Sequence, residues 1–87
     1  MANMQVSVVS ADNEVWSGEA SQVIAKTVEG EIGVLAGHEP LLAILAEGEV
    51  RITKADGKLL KVDAEGGFFS VNKNAIEVVA SRASLVA

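Results

Sequence analysis

The stretch Glu49-Val50-Arg51-Ile52-Thr53-Lys54-Ala55-Asp56-Gly57-Lys58-Leu59-Leu60-Lys61-Val62-Asp63 carries the clearest structural signal in the chain. Residues 49–54 alternate between polar and apolar types, which is the period of a β-strand with one wet face. A second apolar run, Leu59-Leu60-Lys61-Val62, follows. Between them stands Asp56-Gly57, the kind of pair that type I′ hairpin turns select because both central residues need positive φ. The stretch therefore predicts two antiparallel strands and a tight turn.

Working outward, glycine punctuates the rest. Met4, Val6 and Val8 alternate with Gln5 and Ser7. Glu14 to Thr27 is a longer β-prone run, in which Gly18 predicts a bend, bulge or break. Gly66-Gly67 precedes Phe68-Phe69-Ser70-Val71, Asn72-Lys73-Asn74 reads as a further turn, and Ile76 and Val78 flank Glu77. The tail from Ala80 to Ala87 is small and weakly apolar and is expected to finish a last strand. Leu41-Leu42-Ala43-Ile44-Leu45-Ala46 lies between Pro40 and Gly48 and is too short for a stable independent helix. It reads as a strand or a short mixed turn. Short strands with a turn every eight to twelve residues or so indicate an all-β sandwich or barrel, and no segment is long enough to serve as the helix of a βαβ unit.

Composition narrows the function. The chain has 87 residues, enough for one domain, which is taken as residues 1–87. It has no cysteine and one histidine, His38, which excludes thiolate nucleophiles, disulfide frameworks and multi-histidine metal sites. The net charge is −5 and is uneven. Residues 1–50 hold eight acids (Asp12 among them) against one base, a balance of −7, and residues 51–87 hold six bases against four acids, a balance of +2. Such a chain is poorly suited to nucleic acid, which needs clustered Lys and Arg. Its acidic half suits a basic partner loop. The start has no basic residue and no apolar core of a signal peptide, and no run reaches the ~18 apolar residues of a membrane span.

Motifs for chemistry are wanting. In Gly30-Glu31-Ile32-Gly33-Val34-Leu35-Ala36-Gly37-His38, three residues separate Gly33 from Gly37 and His38 follows, whereas a phosphate loop needs four and then Lys-Ser or Lys-Thr. No G-x-S-x-G elbow supplies a nucleophile for His38, so no catalytic residue, metal or cofactor is expected. Lys58 beside Asp56-Gly57 raises a second reading: biotinyl and lipoyl carrier domains are small, all-β and acidic, with a modified lysine at a hairpin tip. Their tight Met-Lys-Met or Asp-Lys-Ala flanks are missing here, because Gly57 intervenes. Trp16, Phe68 and Phe69 are expected to pack in the core rather than form a binding platform.

The stretch Glu29-Gly30-Glu31-Ile32-Gly33-Val34-Leu35-Ala36-Gly37-His38-Glu39-Pro40-Leu41-Leu42 resembles the signature of the epsilon subunit of F-type ATP synthases, G-E-(Leu/Ile)-G-x-x-P-G-H-x-P-L. Val8-Val9-Ser10-Ala11 with Trp16-Ser17-Gly18, Gly48-Glu49-Val50-Arg51-Ile52, Gly66-Gly67-Phe68-Phe69-Ser70-Val71 and Val78-Val79-Ala80 resemble the family's other segments, in order. Ala36 departs from the family's usual proline and adds chain entropy to the loop. The resemblance implies a flattened ten-stranded β-sandwich or barrel. It implies a non-catalytic rotor subunit of the central stalk at the cytoplasmic face of the cell membrane, clamping the gamma subunit to the c-ring and coupling proton-driven rotation to ATP synthesis. By the same resemblance, Glu31 faces the polar c-ring loops, and His38 and Ala43 lie toward gamma. Family members commonly continue into a C-terminal helical hairpin linked to inhibition of ATP hydrolysis. This chain stops at Ala87, so no helical domain is expected in it.

Overall fold

The computed structural model describes residues 3–11 and 13–86; Asp12 and the extreme ends of the expected first and last segments lie outside them. Among the described residues there are seven strands and no helix: β1 (Met4–Val9), β2 (Glu14–Thr27), β3 (Gly30–Leu35), β4 (Leu41–Ile44), β5 (Gly48–Lys54), β6 (Leu59–Asn72) and β7 (Ala75–Val86). Within the run Leu41–Ala46, Leu41–Ile44 form a strand and Leu45 makes a single bridge to Thr27. Neighbouring strands pair antiparallel except β1 with β7, which pair in parallel. That parallel pair needs no crossover helix, because almost the whole chain lies between its two members.

Three strands are long enough to serve two layers. The first half of β2 pairs with β1, while its second half pairs with β5 and β3. The first half of β6 pairs with β5 and the second with β4, and β7 follows β6 throughout. One layer therefore runs β3, late β2, β5, early β6, late β7. The other runs early β2, β1, early β7, late β6, β4. With the three long strands counted once per layer, the seven become the ten of a flattened sandwich. The Cα extents of 32 × 27 × 20 Å fit two sheets stacked about 10 Å apart with their side chains.

The switch points have identifiable causes. In β2 the pairing with β5 slips between Ala20 and Gln22, leaving Ser21 bulged. Of the bend, bulge or break expected at Gly18, neither bulge nor break is there: Val6 pairs with Gly18 in unbroken register. Gly18 lies within a continuous strand and makes room for Trp16, whose ring would stand 2.8 Å from an added Cβ. In β6 the crossing falls at Gly66 and Gly67, with φ of 66° and 122°. A Cβ on Gly67 would overlap the Val79 carbonyl oxygen, so only glycine allows β6 and β7 to approach there.

The two inner faces interleave. Val23, Ile52 and Val50 from one layer meet Met4, Val8, Phe69 and Val78 from the other, all at most 1% exposed. Each such side chain contributes roughly 1.5–3 kcal/mol on burial. Phe69 is in the core as expected, and Trp16 packs against it half-buried. Phe68 is the correction: it points outward and is 38% exposed, because side chains alternate across a strand and its neighbour already takes the inner side.

The turns also differ from expectation. Asp56-Gly57 does join β5 and β6, but only Gly57 has positive φ (88°). The loop is Ala55–Gly57, closed by Lys54 N–H donating to Lys58 O at 2.8 Å and Gly57 N–H to Lys54 O at 2.9 Å. That is the three-residue hairpin with a left-handed glycine, not type I′. The type I′ dihedral pair occurs instead at Lys73 and Asn74, with φ of 50° and 62°, between the paired residues Asn72 and Ala75.

Candidate functional site

The β2–β3 turn presents the acidic tip of the signature segment. Thr27 is 3% exposed, yet its hydroxyl is satisfied: it donates to Gly30 O at 2.7 Å and accepts from Glu29 N–H at 3.2 Å. These two bonds shape the turn and leave Val28 and Glu29 exposed at its apex. Ala46 N–H donates to Lys26 O at 3.0 Å, which brings Glu47 to the same end.

Glu31 lies on the outer face of β3, opposite Lys26 in register. Its carboxylate accepts from the Arg51 guanidinium at 3.0 Å, and Arg51 Nε stands 3.9 Å from Glu49. The three side chains are 56%, 38% and 40% exposed, so the ladder is solvated and worth about 1 kcal/mol or less to folding. Its consequence is electrostatic. Glu31 is not a bare acid but one end of a shared pair, and this end of the sandwich carries Glu29, Glu31, Glu47 and Glu49 against Lys26 and Arg51.

His38 sits in the β3–β4 loop, half-buried. Its Nδ1 lies 2.7 Å from Glu39 O, and since a carbonyl only accepts, Nδ1–H is the donor of this bond. This ring bond goes to backbone, not to a serine or a carboxylate. Glu31 and His38 stand toward opposite ends of β3, so they form no joint site. Ala43 pairs with Phe69 and turns its methyl inward, half-buried. The exposed surface at this point belongs to its neighbours: Leu42 is 72% and Ile44 61% exposed.

Ile44 also belongs to a feature that residue-by-residue reading missed. Register aligns Ile44 with Phe68, Phe68 with Val79, and Val79 with Val9, across four strands. All four side chains lie on the outer side of the layer. Val28, 64% exposed, adjoins the row through its N–H bond to Ile44 O at 3.0 Å. An apolar row on an outer face is the kind of surface a partner can cover. The one clue in the sequence is Leu41–Leu45, which is apolar at both strand parities and so calls for cover on both sides.

Lys58 is exposed, but it follows the hairpin tip, with its N–H bound to Asp56 Oδ1 at 2.9 Å and its carbonyl to Lys54. Among the described residues no group of His, Asp or Glu is arranged to hold a metal. Among the same residues no helix is long and apolar enough to cross a membrane.

Residues 3–86 match the family model described as ATP synthase, Delta/Epsilon chain, beta-sandwich domain. The chain is 47% identical over 85 residues to an ATP synthase epsilon chain of Micrococcus luteus, covering 98% of this chain and 93% of that one. A Streptomyces coelicolor ATP synthase epsilon chain is 45% identical over 84 residues, covering 97% of this chain and 68% of its own length. In solved structures, a chain of the Euglena gracilis mitochondrial ATP synthase OSCP/F1/c-ring assembly superposes with a TM-score of 0.91 at 28% identity, over 98% of this chain and 54% of that one. A chain of the Tetrahymena thermophila mitochondrial ATP synthase central stalk and c-ring shares the fold at a TM-score of 0.74 and 20% identity, over 94% of this chain and 66% of that one. With the signature segment, the two-layer sandwich and these matches in agreement, the chain belongs to the β-sandwich family of ATP synthase delta and epsilon chains, as an F-type epsilon subunit.

Proposed function

We propose that this chain is a non-catalytic subunit of the rotating central stalk, which clamps gamma to the c-ring so that proton-driven rotation reaches the catalytic head. The observation that carries the reading is the meeting of two unlike surfaces at one corner. The apolar row through Ile44 and Phe68 runs to Val28, and Val28 caps the turn that carries Glu29 and leads into Glu31. An apolar face suits a large, stable contact with gamma, with Leu42 and Ile44 flanking Ala43 and with His38 in the middle of the loop that leads into β4. The acidic turn suits the polar, basic loops of the c-ring, where opposite charge steers and orients docking. A subunit that joins a shaft to a ring needs two such contacts held rigidly together, and the sandwich supplies the rigidity.

Peripheral placement at the cytoplasmic face of the cell membrane follows from this role, through the complex rather than through any lipid contact. Co-purification tests the reading: tagged chain mixed with gamma at micromolar concentration is expected to elute as a complex. Separate elution of the two proteins would refute it.

A further inference from the structure

We propose that Asn74 is a positioning residue that latches the β3–β4 loop in the shape from which it docks; the docking part of the proposal rests on the function proposed above. The loop, residues 36–40, holds His38. Two of its hydrogen bonds are local: His38 N–H to Leu35 O at 3.2 Å, and the His38 ring to Glu39 O at 2.7 Å. Among the described residues, the hydrogen bond that ties the loop to a distant strand turn is Gly37 N–H donating to Asn74 Oδ1 at 2.7 Å, across 37 residues of chain, and it adds to the packing of Ala36 on the core. It is shorter than the usual ~2.9–3.0 Å of an N–H···O hydrogen bond.

Asn74 is well placed for this. It occupies the second central position of the β6–β7 turn, with φ of 62°, and its backbone carbonyl accepts from Gln5 N–H at 2.8 Å. One residue thus joins the start of β1, the β6–β7 turn and the signature loop. The position asks for two properties at once: tolerance of the left-handed region and a short side chain with an acceptor oxygen. Asparagine and aspartate supply both, whereas glycine supplies only the first. The loop needs such a tether because Gly37, with φ of 87°, is free to sample many conformations when untied. Fixing it before contact lowers the ordering cost of docking.

Two variants separate the roles. Asn74→Gly keeps the turn dihedral and removes the acceptor, while Asn74→Asp keeps both. The readouts are hydrogen exchange of the Gly37 amide by NMR and the affinity for gamma by calorimetry, with the Val78 amide as a monitor of the core. Asn74→Gly is expected to speed Gly37 exchange and to weaken gamma binding, each roughly two- to tenfold, while Val78 is unchanged. Asn74→Asp is expected to restore both to wild-type values. Unchanged Gly37 exchange in Asn74→Gly would overturn the latch. Faster exchange with unaltered gamma affinity would overturn its part in docking. A wild-type chain that binds no gamma would overturn the function proposed above and the docking role with it, while the exchange measurement would still decide whether the latch exists.

Discussion

Replacing Leu42 and Ile44 together by serine tests the apolar face of β4 against gamma. Leu42 is 72% exposed and Ile44 61% exposed, so docking on this face would cover most of both side chains. Full burial of a leucine or isoleucine stabilises by about 1.5–3 kcal/mol. Scaled by those exposures, Leu42 contributes about 1.1–2.2 kcal/mol and Ile44 about 0.9–1.8 kcal/mol to the complex. Their joint loss, about 2–4 kcal/mol, corresponds to roughly 30- to 900-fold weaker binding. The isolated chain gives the control. Both side chains already stand in water, so the unfolding midpoint in urea should move by no more than the ~0.5 kcal/mol typical of surface changes. Titration of gamma with wild-type and double-variant chain, followed by heat or by fluorescence, reads the difference. Binding weakened less than about threefold, with unfolding unchanged, would show that this face stays wet in the complex and would refute the assignment.

Glu31→Lys should weaken docking on the c-ring and spare the fold, because the change replaces the Arg51 ion pair with like-charge repulsion on a solvated surface worth about 1 kcal/mol or less; unaltered proton-pumping efficiency in reconstituted complexes would remove Glu31 from the contact. Gly67→Ala should destabilise the chain by more than about 3 kcal/mol, since a left-handed φ of 122° and an overlap with Val79 O must both be relieved. A urea midpoint within error of wild type would contradict the account of the β6 crossing. In protein purified from its native cells, the mass of the peptide that carries Lys58 should be that of unmodified lysine, and a biotinyl or lipoyl increment on Lys58 would favour the carrier reading instead.

Much of the fold was legible because strand period and glycine punctuation are local signals. The limits of β2 and the β5–β6 hairpin follow from residues 14–27 and 49–63 alone. What was not legible depended on register. Ile44, Phe68, Val79 and Val9 are far apart in sequence and become one row only when four strands are aligned. The hold of Arg51 on Glu31 likewise spans three strands, with β2 between them. Phe68 and Phe69 could not be sorted by composition, since the parity of β6 restarts after two left-handed glycines. The turn at Lys73-Asn74 was recognised as a turn, but lysine gives no warning of positive φ, whereas Asp56-Gly57 advertises a turn type that its three-residue loop does not adopt. Of the site residues, Glu31 and the His38 loop stood out in the signature segment, while Asn74 gained its meaning only from the 2.7 Å contact with Gly37.

Coupling itself is the central claim, and it is measured most directly in membrane vesicles carrying ATP synthase stripped of its epsilon subunit. ATP-driven proton uptake is followed alongside ATP hydrolysis, before and after addition of this chain. A rotor clamp should raise the protons moved per ATP hydrolysed toward the value of the intact enzyme. Hydrolysis that continues with proton uptake no higher than in the stripped vesicles, although the chain is bound, would contradict it.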